Sequence, residues 1–92
     1  MSETEMVRIE TEWMKRGFTF GVWEDPPRQR WEDFIHDQDE LFMVIEGDIE
    51  LEIEGEVLRP RTGEEVFIPA GSLHSVRNLS NSPSRWLYGY AA

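Results

Sequence analysis

The stretch from Glu40 to Ile53, ELFMVIEGDIELEI, constrains the fold more than any other part of the chain. Leu41 to Ile45 are apolar at both parities, so a strand there is covered on both of its faces. Gly47-Asp48 then predicts a tight turn, with Gly47 supplying a positive φ. After it, Ile49, Leu51 and Ile53 alternate with Glu50, Glu52 and Glu54, which is a strand with one dry face and one wet one. A hairpin of this kind needs a layered β structure. One face of the first strand meets an interior, and the other meets a second sheet or a partner chain.

The remaining sequence reads the same way, as short extended segments punctuated by Gly, Pro, Asp and Asn. Strands are predicted over about residues 7–13, 18–23, 31–36, 40–46, 49–53 and 56–59, at VFIP, over 73–79 and at SRWLYGY. No helix is predicted. Residues 24–30, EDPPRQR, are a loop, because two prolines exclude a ladder strand. Eight or so short strands in this spacing predict an all-β chain forming a closed barrel or jelly roll, which also removes exposed sheet edges.

At 92 residues the chain is expected to be a single domain spanning residues 1–92. A domain of that size is marginal alone, so a close-packed barrel or a homodimer is expected to support it. The N-terminal strands in residues 1–30 are the candidate to cover a neighbour's sheet, and some of the four tryptophans are expected to bury there. The net charge of −10 gives no footprint for nucleic acid and would be repelled by an anionic membrane. No apolar run is long enough to span a bilayer, and the acidic MSETEMV start lacks a signal-peptide layout, so the expected location is the cytoplasm. The absence of cysteine removes disulfides, thiolate ligands and a cysteine nucleophile.

Chemistry rests on two histidines, His36 and His74. Phe34 and His36 share one strand parity; Glu40, Phe42 and Val44 share another; His74, Val76 and Asn78 share a third. If the apolar members point inward, both imidazoles and the Glu40 carboxylate converge on one interior, although they are far apart in sequence. Gln38 and Asp37 lie beside them in the sequence and could add an oxygen.

These spacings resemble the cupin family. Glu40 and Gly47 are separated by six residues and His36 and Glu40 by three, as in the family's first motif, here about residues 34–47. Gly63, Pro69, Gly71, His74 and Asn78 meet every spacing of the second motif, residues 63–78. The resemblance implies a conical β-barrel, often dimeric, with its site inside, and is closest to short single-domain bacterial cupins of no assigned activity. Carried over residue by residue, it implies that His36, Glu40 and His74 hold one divalent metal. Iron, manganese, nickel and zinc are not distinguished, because two histidines and one carboxylate suit several of them. The family's first motif has another histidine where this chain has Phe34, and its opening glycine is absent from RQRWED. Phe34, with Phe42, Val76 and Gln38, is therefore expected to line the pocket. Asn78 is expected to be a structural hydrogen-bonder, and Pro69 and Gly71 to shape a bend.

Two functional readings follow. In one, a metal held by the triad acts on or binds a small organic molecule. In the other, the barrel is a metal-free, non-catalytic pocket that binds or senses a small ligand through Phe34, the tyrosines and the polar triad.

Overall fold

The computed structural model describes all residues from Met1 to Ala92. One helix, α1 (Glu3–Lys15), precedes eight strands: β1 (Gly21–Asp25), β2 (Arg30–Phe34), β3 (Glu40–Glu46), β4 (Ile49–Ile53), β5 (Glu56–Leu58), β6 (Glu65–Ile68), β7 (His74–Asn78) and β8 (Ser84–Tyr90). They form two antiparallel four-stranded sheets, ordered β1-β8-β3-β6 and β2-β7-β4-β5. The arrangement is of jelly-roll type, but the two sheets do not close into one hydrogen-bonded barrel.

The helix corrects the expectation of a strand over residues 7–13. Ser2 caps it, accepting from the Glu5 amide, while the Glu5 side chain reaches back to Ser2. This is a capping box, with Glu3 and Glu5 in the first turn and Lys15 in the last, each sign placed to suit the helix dipole. At the other end Gly17, at φ 87°, donates to the Met14 carbonyl, and Phe18 donates to that of Trp13. That pair of bonds is the Schellman ending that turns the chain off the helix.

Met6, Ile9 and Trp13 lie three and four residues apart and therefore share one helix face. That face packs on Leu41, Met43 and Ile45 of β3 and Leu87 of β8. The second cover on the doubly apolar strand is thus this chain's own helix. The N-terminal region does not present strands to a neighbour's sheet. Gly89 makes the close docking feasible, since a Cβ there would collide with the Thr19 carbonyl and come within 3.1 Å of the Trp13 ring.

The opposite parity of β3 faces inward, as expected. Phe42 and Val44 pack with Ile49, Leu51, Ile68, Val76 and Trp86 between the two sheets. Fully burying side chains of this size contributes about 1.5–3 kcal/mol each, so this layer is the main apolar stabiliser. The predicted turn after β3 holds: Gly47 has φ 102°, and a Cβ there would clash with Ser84. On the outer face of the second sheet Arg77 bonds Glu32, Glu50 and Glu52 at 2.8–3.0 Å, which lets the acidic side of β4 sit half-buried.

Candidate metal centre

Three backbone elements bring the polar triad together. Glu40 opens β3, where it lies opposite Tyr90 of β8 on one side and Ile68 of β6 on the other. His74 opens β7 and pairs in register with Phe34 at the end of β2. The strand expected over residues 31–36 ends at Phe34, so His36 stands beyond it in the link between β2 and β3 and is not placed by strand parity with Phe34. That link is tied to the Pro69–Gly71 bend: the Gly71 amide donates to the His36 carbonyl at 2.8 Å, and the Ala70 amide donates to Asp39 Oδ1 at 2.8 Å. The bend of the second motif therefore positions a residue of the first.

The side chains meet inside. His36 Nε2 and His74 Nε2 each lie 3.7 Å from Glu40 Oε1, and the donor atoms of all three residues fall within 4.8 Å of one another. His74 is buried, and its Nδ1 lies 3.2 Å from the Ser72 carbonyl. Only a protonated Nδ1 satisfies that carbonyl, which leaves Nε2 with a lone pair facing Glu40. Glu40 Oε1 is buried and has no hydrogen-bond partner. A buried carboxylate oxygen without a partner is costly, and here imidazole nitrogens flank it without bonding to it. Three lone-pair donors converging on one point fit a divalent cation, which would satisfy all of them.

Burial pushes the Glu40 carboxyl up to about 7. Burial also lowers the His36 pKa, with a further contribution from His74. Burial, followed by Glu40 and Tyr88, raises that of Tyr90. For the metal-free protein the sign follows directly. A carboxyl whose folded pKa is raised favours folding fully below its unfolded value of 4.5, and that contribution is lost as pH rises through about 7. The loss amounts to at most about 3 kcal/mol. With a chelator present, Glu40→Gln is expected to be more stable than the parent at pH 8 and to match it near pH 4. Both proteins keep His36, whose lowered pKa acts in the opposite sense, so subtracting their denaturation curves isolates Glu40. Parallel curves across this range would refute the assignment.

The triad forms the floor of a cavity of about 410 Å³. Phe34, Phe42 and Val76 are among the residues lining it. The Phe34 centroid is 6.3 Å from both imidazole centroids and the ring stacks nearly parallel to His36, so an apolar face stands beside the triad. Gln38 does not line the cavity; it and Asp37 are exposed in the link, which corrects their assignment as neighbouring oxygen donors. Gly63 and Gly71 take positive φ in their turns. Asn78 is buried and spends its amide on loops, donating to Pro26 and Ser82 carbonyls and accepting from Ser80. Trp23, Trp31, Trp86, Tyr88 and Tyr90 complete the walls. Trp86, Tyr88 and Tyr90 fall on alternate positions of β8 and so share one face. Trp23 and Trp31 gave no comparable signal, because β2 is bulged between Trp31 and Phe34 and Asp33 has φ 59°.

Two facing antiparallel sheets with a His–Glu–His group in the space between them define a cupin-type barrel. Residues 21–90 match the cupin domain family, and the chain belongs to it. Among solved structures it is similar to TT1209 from Thermus thermophilus, at 28% identity and a TM-score of 0.72 over 80% of this chain and 71% of that one. It is also similar to the cupin domain of Cnp3 from Schizosaccharomyces pombe, at 22% identity and a TM-score of 0.75 over 83% of this chain and 56% of that one. An oxalate oxidase in complex with the substrate analogue glycolate matches at 21% identity and a TM-score of 0.73, over 84% of this chain and 43% of that one. The last two likenesses concern the fold alone. The chain spans less than two thirds of either of those proteins. No curated protein gives a significant match. No helix is long and apolar enough to cross a membrane.

Proposed function

We propose that this chain is a small metal-binding cupin whose His36, Glu40 and His74 hold one divalent ion at the floor of a small-molecule pocket. The observation that carries the proposal is the buried, unpartnered Glu40 oxygen between two imidazole nitrogens. An ion bound there would polarise an oxygen of the ligand or activate water or dioxygen. The chain's own residues supply the rest. Ser72 orients His74, the Pro69–Gly71 bend orients His36, and burial strengthens every charge interaction on the floor. The aromatic walls set the ligand's size. The glycolate held by the similar oxalate oxidase supports a small, oxygen-bearing organic ligand.

Phe34 favours a second reading, a metal-free ligand-binding or sensing barrel, because it stands where a fourth ligand is expected. One substitution tests the role of position 34. Phe34→His is expected to tighten divalent-metal binding about tenfold or more, measured by competition with a chelating dye. Unchanged affinity would mean that position 34 does not serve the site.

In a homodimer the contact would lie elsewhere, because α1 covers the outer face of β3. Exposed Val57 on β5 and Phe67 on β6, both edge strands, are among the apolar surfaces open to a second copy.

A further inference from the structure

The cavity has two chemically different halves. Its floor carries the triad, while the half formed by β1, β2 and β8 presents aromatic rings. Trp23 and Trp31 stand nearly perpendicular, with centroids 6.0 Å apart and 74° between planes. Trp23 and Tyr88 are 6.5 Å apart at 78°. Trp23 thus stands at a steep angle to a ring on either side, and the three rings make an open box rather than a stack.

Each ring of the box is held. Asp25, at the end of β1, is fully buried and is not a lining residue. It accepts from Trp23 Nε1 at 2.6 Å and from Trp31 Nε1 at 3.0 Å to both oxygens. Both indole N–H groups are thereby committed to one carboxylate, so the rings turn no N–H donor toward a ligand. Such bonds also enrich the indole faces in electron density, which strengthens attraction for a cation. Tyr88 lies over Gly21, where a Cβ would come within 2.6 Å of its Cζ; only glycine leaves the ring this seat.

Charge points the same way. None of the residues lining the cavity is Lys or Arg, whereas the Asp25 carboxylate lies directly behind Trp23 and Trp31 and the chain carries a net charge of −10. An anionic ligand would find no basic side chain in this half. A methylated ammonium group would find π faces around it and a negative field behind them. We propose that Trp23, Trp31 and Tyr88 form a subsite for a quaternary or methylated ammonium group. The ligand would then be a small amine bearing an oxygen function that reaches the floor. This inference rests on the cavity being the ligand site, and deepens that reading without needing the metal.

The test uses the full chain with a chelator present, and also its His74→Ala variant, so that metal plays no part. Choline, its neutral carbon isostere 3,3-dimethyl-1-butanol and indole are titrated against tryptophan fluorescence. Choline is expected to bind at least about tenfold more tightly than the isostere. Trp23→Leu, at a partly exposed position, is expected to abolish that preference, with circular dichroism showing that the fold is kept. Asp25→Asn is expected to weaken choline several-fold and leave the isostere unchanged, which a merely structural role would not do. Isostere or indole binding as tight as choline would overturn the proposal, as would no saturable choline signal. Because the metal is removed throughout, either result leaves the metal reading to its own test.

Discussion

Replacing His74 by Ala is expected to weaken divalent-metal binding by more than about 100-fold, since loss of a mere outer-shell partner already costs 10–100-fold. Geometry sets this expectation. His74 is buried, its Nδ1 is anchored on the Ser72 carbonyl, and its Nε2 is aimed at the same point as His36 Nε2 and Glu40 Oε1. Without it two ligands remain, one of them on a link rather than a strand. Isothermal titration with a divalent ion on parent and variant gives the ratio. Circular dichroism of the two metal-free proteins shows whether the fold is kept. A folded variant that binds metal as tightly as the parent would remove His74 from the site.

The largest effect on stability is expected from Trp13→Ala. Trp13 is the one fully buried residue of α1, and it joins the helix to β3 and β8 through Leu41, Met43, Ile45 and Leu87. Its indole N–H also donates to Glu65 at 3.0 Å, which Arg16 grips at 2.8 and 2.9 Å. Truncating a buried tryptophan costs about 3–5 kcal/mol. A domain of this size commands only about 5–15 kcal/mol in total. The melting point should therefore fall by roughly 12 °C or more. Val7→Ala and Met14→Ala, on the exposed side of the same helix, should each stay within about 0.5 kcal/mol of the parent. A Trp13→Ala loss below about 1 kcal/mol would mean that α1 does not stabilise the sheet beneath it.

The same helix marks the limit of what the sequence displays. Val7, Ile9, Thr11 and Trp13 fall on alternate positions and include β-branched residues, which reads as a strand. The competing signals were the Ser2–Glu5 capping box and the spacing of Met6, Ile9 and Trp13. Mistaking that segment also misassigned the cover on Leu41 to Ile45, which requires an apolar layer without saying what it is made of. Elsewhere alternation was enough. It orients β3, β4 and β7, and so points Glu40, His74, Phe42 and Val76 to the interior, where the structure has them. It failed where pairing is irregular. The bulge in β2 hid Trp31, and the link through Asp37 and Gln38 carries no period to read. Asp25 was invisible for another reason. It falls in the loop expected over residues 24–30, whereas β1 runs on to it and puts it on the same face as Trp23 two residues earlier.

The fold requires only that the floor of the cavity be satisfied; the metal is the stronger claim. Elemental analysis of the full chain, purified without chelator from metal-replete cells, tests it most directly. The structure leads us to expect roughly one divalent ion per chain, lost on acidification as Glu40 and the imidazoles take up protons. Protein that emerges metal-free, and that takes up no divalent ion when one is supplied, would contradict the assignment of His36, Glu40 and His74.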